Sequence, residues 1–262
     1  MSLRRIYGVL LQEWYMTLHS LEIVVDIFIF PIVNIVVFGL ISQYLVGESE
    51  TTAAQYVLLG MLLWQIIWIV AYSVAVGSMW NIWSRNLSNM FVAPLQIGEY
   101  IAAHIISGCA KAFVLLLLGG VLSVAFFQFN MLSIGILNLF LVFITFGVFA
   151  FSIALVVLGL IFRYGTRISA LAWSVTMIFQ PLCAAFFPLA VMPKALQTIS
   201  LFFPATYGYE AARYGLLNGG VEWRMMGLGL LIDVVYCVVS VVVFLYLFEA
   251  SKNSGQFARN ES

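Results

Sequence analysis

Charge is scarce in this chain. Of its 262 residues, 11 are Lys or Arg and 11 are Asp or Glu, which makes 8% in all, against roughly 25% in an ordinary soluble domain. A water-soluble fold needs a polar skin, and so few charges cannot supply one, which excludes soluble and disordered classes. The formal net charge is zero and the pI is about 6.7, so there is no basic field for a nucleic-acid partner. Histidine is almost missing: His19 and His104 are the two present. Neither has the spacing of a metal site, and no carboxylates are paired for acid–base work, so no catalytic and no metal residue is assigned. Cysteine is sparse as well. Cys109, Cys183 and Cys237 are odd in number, far apart and set in apolar stretches, which reads as small buried hydrophobes rather than disulfides. No G-x-x-x-x-G-K-[ST] loop is present to cradle ATP phosphates. Nor does the chain open on a compact apolar signal peptide, because Arg4 and Arg5 precede a mixed segment with Gln12, Glu13 and His19.

What the chain does have is apolar length. Hydrophobic residues make up 64% and the mean hydropathy is +1.08. This is an integral membrane protein. Crossing about 30 Å of hydrocarbon takes roughly 20 apolar residues in a helix. Residues 27–46 and 56–76 are two uncharged runs of that kind. No charged residue occurs in 112–162, and as one helix that stretch would be roughly 76 Å long. It has to fold back, and Gln128-Phe129-Asn130 is its one polar-flanked break. The spans are then 100–127 and 133–162, followed by 168–187 and 225–248. A lone transmembrane strand cannot satisfy its backbone, so all six are helices and the fold class is all-α, in a single transmembrane domain over 1–262. With the N-terminus inside, the cytoplasmic segments hold Arg4, Arg5, Arg85, Arg163, Arg167, Lys252 and Arg259, while the outer ones hold Lys194, Arg213 and Arg224. That bias predicts cytoplasmic N- and C-termini. The first outer loop, with Glu48 and Glu50, carries no base.

Three segments exceed what a plain bundle needs. In 1–22, Leu3, Ile6, Tyr7, Leu10, Trp14, Leu18 and Leu21 recur at helical steps, which predicts an amphipathic helix lying in the cytoplasmic interface. In 79–99, Trp80 and Trp83 suit the membrane boundary. After them Leu87, Met90, Phe91 and Leu95 share a helical face, and Pro94 stops the helix. In 188–220, Pro188, Pro193 and Pro204 divide two short apolar pieces, 194–203 and 206–217, each too short to cross. They read as a helix pair dipping back from the outer face, where broken backbone survives only against protein or a water-filled cavity. Inside the membrane, Lys111 and Asp233 fall at similar depths, so either they pair, or Lys111 faces a wet cavity and Asp233 bonds a neighbouring Tyr or Ser.

Residues 86–100 (NLSNMFVAPLQIGEY) and 187–213 (FPLAVMPKALQTISLFFPATYGYEAAR) resemble the two most specific stretches of the membrane subunit of type 2 ATP-binding-cassette (ABC) exporters. The resemblance covers nearly the whole chain. It implies a half-transporter: a homodimer in the inner membrane joined to two ABC ATPase subunits, which carry the ATP and Mg, so that this chain holds no cofactor and is no enzyme. It also implies that 79–99 contains the coupling helix. Leu87, Met90 and Phe91 would enter a cleft on the ATPase beside Pro94 and Leu95, with Arg85 and Glu99 at the polar rim. The prolines at 188, 193 and 204 would set the bends of an outer gate, in which Tyr207, Glu210 and Arg213 tie the second short helix. Glu210 and Arg213 lie three apart on one face, and as an exposed pair they contribute under about 1 kcal/mol. The implied substrate is an amphiphile, whether a drug, a lipid or a lipid-linked saccharide. Membrane lipid is a further expected partner, and the alternative is a passive channel or a scaffold subunit of a membrane complex.

Overall fold

The computed structural model describes residues 1–47 and 51–254. Glu48, Glu50 and Arg259, which entered the orientation argument, lie outside the described residues. Among the described residues the chain is helix and turn, with no strand. Helix α1 is Leu3–His19. Ser20 breaks the chain in extended backbone and its hydroxyl caps the next helix by accepting from Ile23 N–H. Helix α2, Leu21–Leu45, then forms the first span, with Val25–Ile29 wound as a π-helical turn. Helix α3 is Thr51–Trp83, α4 is Leu87–Val92, α5 is Ile97–Phe127 and α6 is Ile136–Tyr164. The short apolar α7, Leu171–Leu182, follows. After it come α8, Lys194–Ser200, and α9, Pro204–Asn218. Helix α10, Trp223–Asn253, closes the described chain.

The α5–α6 break falls at the polar triplet. Gln128 takes a left-handed turn at φ +53°, and the Asn130 side chain accepts the Leu132 N–H at 3.0 Å. The fifth span, expected over 168–187, contains a shorter helix. Helix α7 has 12 residues, about 18 Å of helix, well short of the hydrocarbon thickness. Pro181 sits in its last turn, and Ala184 is left-handed at φ +55°. The proline withholds a backbone donor and the reversed backbone then turns the chain away. Among the described residues there are accordingly five helices long and apolar enough to cross, plus α7.

Helix α3 is the hub. It packs against α2, α5, α6 and α7, and 94% of its most apolar window is buried, against 28% for α2 and α5 and 22% for α10. Helix α10 closes on α6 and α9. One glycine sets the closeness of the hub. A methyl group on Gly60 of α3 would collide with the Ala185 carbonyl oxygen just past α7. The bundle has two ends. At one, the N-terminus, the α3–α5 connection and the end of α10 gather: Arg5 reaches Glu99, and Arg163 donates to the Ser254 hydroxyl at 2.8 Å. The α5–α6 connection and the α8–α9 pair form the other.

Candidate functional site

The α3–α5 connection is built from backbone geometry first. Arg85, at φ +53°, ends α3: its N–H donates to Ile82 O and the Asn86 N–H to Asn81 O, each at 3.0 Å, the paired pattern of a left-handed helix stop. Helix α4 follows with no side-chain cap from Asn86. Among its described side chains Asn89 and Val92 are exposed and Met90 is half-buried. The side chains of Leu87 and Phe91 lie outside the described residues. Met90 and Leu95 are half-buried against the bundle, so the expected ridge is partly turned inward. Val92 is exposed, 87% accessible, and the sequence did not single it out. Pro94 is exposed at the turn beyond α4.

Glu99 corrects another expectation. Its side chain is fully buried rather than set at a polar rim. It accepts from Arg5 Nη2 at 2.6 Å, from Ser2 N–H at 2.5 Å and from Gln96 N–H at 3.1 Å. The hydrogen bond to this carboxylate holds the Arg5 guanidinium above its usual pKa. The last bond, three residues back, caps α5. Glu99 is spent on fixing α1 to the start of α5.

Helix α1 presents Ile6, Val9, Glu13 and Thr17 to the protein, while Leu3, Tyr7, Trp14, Leu18 and Leu21 face outward. Buried Glu13 meets Lys111: Oε2 to Nζ is 3.1 Å. The other carboxylate oxygen is 3.5 Å from His104 Nδ1. Beside this pair, Gln12 donates to Asn81 Oδ1 at 2.6 Å, and Asn81 donates to the Tyr100 hydroxyl at 3.0 Å. The Lys111–Asp233 pair that depth allows is therefore not formed. Helix α1 delivers Glu13 to α5, whereas α10 packs on α6 and α9. Asp233 is buried, and among the described residues neither of its oxygens has a hydrogen-bond partner.

At the opposite end Pro193 caps α8 and Pro204 opens α9 at its first position, where a missing N–H costs nothing. Pro188 precedes the single turn Leu189–Val191. Tyr207 donates to Leu201 O at 3.0 Å and Thr206 to Ser200 O at 2.7 Å, binding α9 to the end of α8. Arg213 is 4% exposed, not a surface group. Its Nη1 is 2.9 Å from Glu210 Oε1, and its Nη2 donates to Ala184 O at 2.5 Å and Ala185 O at 2.9 Å. Glu210 Oε1 also accepts the Leu189 N–H at 2.8 Å. The guanidinium lies 5.7 Å from the Tyr56 ring centre and 5.8 Å from that of Tyr209, within cation–π range. It thus captures the carbonyls that α7 frees by ending early.

A groove at mid-span is lined by Phe30, Asn34 and Phe38 of α2, Trp64, Gln65 and Trp68 of α3, and Met177 and Gln180 of α7. No charged residue lines it. Asn34, near the middle of the first span, is exposed. Gln65 is buried, and its Nε2 has no hydrogen-bond partner among the described residues. Single amides inside apolar runs were the only sequence signal for this groove.

These features define a multi-pass helical membrane subunit with a stand-off helix at one end and a strapped short-helix pair at the other. Comparison with protein families refines the class. The family described as ABC-2 type transporter matches residues 11–217, and the chain belongs to that family. It is the transmembrane subunit of an ABC transporter, and membrane subunits of this family work with an ABC ATPase partner. Among curated proteins none matches the chain.

Proposed function

We propose that this subunit moves an amphipathic substrate (a drug, lipid or lipid-linked saccharide) out of the cytoplasm, driven by a separate ATPase that carries ATP and Mg. The observation that carries this reading is α4, a six-residue helix with Asn89 and Val92 exposed, at the end of the bundle that also holds the N-terminus. A helix of six residues gains too little on its own to persist in water, so a protein partner is the natural source of its stability. Residues 79–99 are the coupling element, and that end faces the cytosol, with both termini, in the inner membrane.

The groove supports a homodimer with the path between the copies. An exposed Asn34 amide at mid-membrane is expensive against hydrocarbon and is relieved by a second subunit or by substrate. Helices α8 and α9, 7 and 15 residues long, form the outer gate, strapped by Arg213. The test is reconstitution of the subunit with its ATPase in vesicles. Transport that requires hydrolysable ATP and moves the amphiphile away from the ATPase side is the expected result. Substrate flux without ATP would overturn it in favour of a passive channel, and an ATPase that never copurifies would point to a scaffold.

A further inference from the structure

Two ion pairs fasten α1 to α5, and they advance in the same order along both helices. Arg5 meets Glu99 at 2.6 Å, and Glu13 meets Lys111 at 3.1 Å. Between Arg5 and Glu13 α1 rises about 12 Å, while α5 rises about 18 Å between Glu99 and Lys111. The flexible lysine stem spans the difference by running back toward the N-terminal end. The second pair is placed where charge is costly, since Glu13 is 4% exposed. The hub makes room for it: a methyl group on Gly77 of α3 would lie 3.2 Å from His104 Nδ1 and 3.7 Å from Glu13 Oε1. A helix that merely rested on lipid would need neither a buried carboxylate nor a lysine reaching out of a span. The two pairs join α1 and the first half of α5 as a single body, and Gln12, bonded to Asn81, adds a contact to α3.

We propose that Glu13 and Lys111 are positioning residues that tether α1 to α5, so that movement imposed on 79–99 is delivered to both helices together. This rests on the coupling role given above to 79–99. The step is mechanical: the ATPase displaces the connection, Glu99 at its end carries α5 and the foot of α1, and the Glu13–Lys111 tether prevents α1 from lagging. Without the tether the connection still docks and hydrolysis still proceeds, but part of the displacement is lost in rotation of α1.

The experiment uses the full permease–ATPase complex in vesicles. Glu13→Leu combined with Lys111→Met removes both charges at once and leaves neither buried alone. Hydrolysis, substrate exported per ATP, and hydrogen exchange along α1 are measured together. The double variant is expected to bind the ATPase and hydrolyse ATP at close to the wild-type rate. Its α1 amides should exchange faster, and export per ATP should fall about fivefold or more, the lower end of coupling between sites. Lys111→Arg, which keeps the charge, should hold the wild-type ratio. Faster exchange with an unchanged export-per-ATP ratio would overturn the proposal, because the pair would then serve packing alone. Unchanged exchange and ratio would overturn it too. Should the double variant not fold, Lys111→Met, which removes the donor outright, carries the test, and an unchanged ratio there is equally fatal. A wild-type subunit that binds no ATPase sinks the transport reading before any variant is compared, and the tether with it.

Discussion

Arg213→Met is the sharpest perturbation the structure offers. Methionine keeps most of the stem volume and removes the fork. Lost at once are a charged pair with Glu210 and two hydrogen bonds to Ala184 O and Ala185 O. Breaking a buried pair costs about 3–5 kcal/mol in soluble proteins, and side-chain hydrogen bonds within membranes average nearer 0.6 kcal/mol because the unfolded helices find other partners. A loss of about 3 kcal/mol is the expectation, roughly a hundredfold in the folding equilibrium. Arg213→Lys keeps charge without the planar fork and should fall between. Glu210→Gln should cost about 1 kcal/mol, since a carboxamide oxygen still accepts from Leu189 N–H. The assay is denaturant unfolding in micelles for the three variants side by side, with cysteine accessibility at position 185 as the local readout. If Met, Lys and the Glu210 variant were all within about 0.5 kcal/mol of wild type, the pair would be the weak surface contact its spacing suggests, and the strap argument would fail.

Gly60→Ala should lower the melting temperature through a loss of about 1–3 kcal/mol, because the added methyl meets a backbone oxygen that cannot rotate away; an unchanged melting curve refutes the close α3–α7 approach. Phe91→Ala should weaken ATPase copurification by about tenfold or more if the side chain anchors the docking, whereas Asn86→Ala, which removes no capping bond, should leave it near wild type; equal effects would remove α4 from the coupling. Gln65→Leu deletes a buried amide nitrogen without a partner, so stability should hold or rise while substrate stimulation of hydrolysis falls; a marked loss of stability means that the amide bonds within the fold. A thiol placed at Ser254 should be labelled only after the membrane is opened, and reaction from outside intact cells reverses the assigned orientation.

Apolar length was the most readable property of the chain. Residues 112–162 had to fold back because no bilayer is thick enough for them, and the polar triplet at 128–130 is where they do. The prolines at 188, 193 and 204 marked the short helices because a missing donor acts locally. Other features depend on partners distant in sequence. Nothing near Lys111 identified Glu13, 98 residues away. Helix α1 was also harder to read because lipid inverts the usual logic: Trp14 and Leu18 face outward, and the protein receives Glu13. Glu210 and Arg213 had the right spacing, but the burial of Arg213 comes from its reach to the carbonyls just past α7. Pro181 marks the end of α7 in the sequence, whereas nothing in the sequence marks the left-handed turn at Ala184.

The burial of α3 has a consequence for biosynthesis. Of the five long helices it has the lowest hydropathy, 2.1, and in the folded protein it buries Gln65, Ser73, Ser78 and Asn81. Yet it leaves the ribosome before α5, α6 and α7 exist. For that interval Gln65 and Ser73 are held in bare lipid beside α2 alone, while Ser78 and Asn81 lie toward the end that Trp80 and Trp83 mark as the membrane boundary. Ser78 answers by donating to its own helix at Val74 O, 2.7 Å away, and Asn81 by donating to Gly77 O at 3.3 Å. Gln65 is too long to turn back on its own helix in this way. The nascent chain is therefore most exposed to misassembly between the insertion of α3 and the arrival of α5, and any chaperone of membrane insertion has its task there.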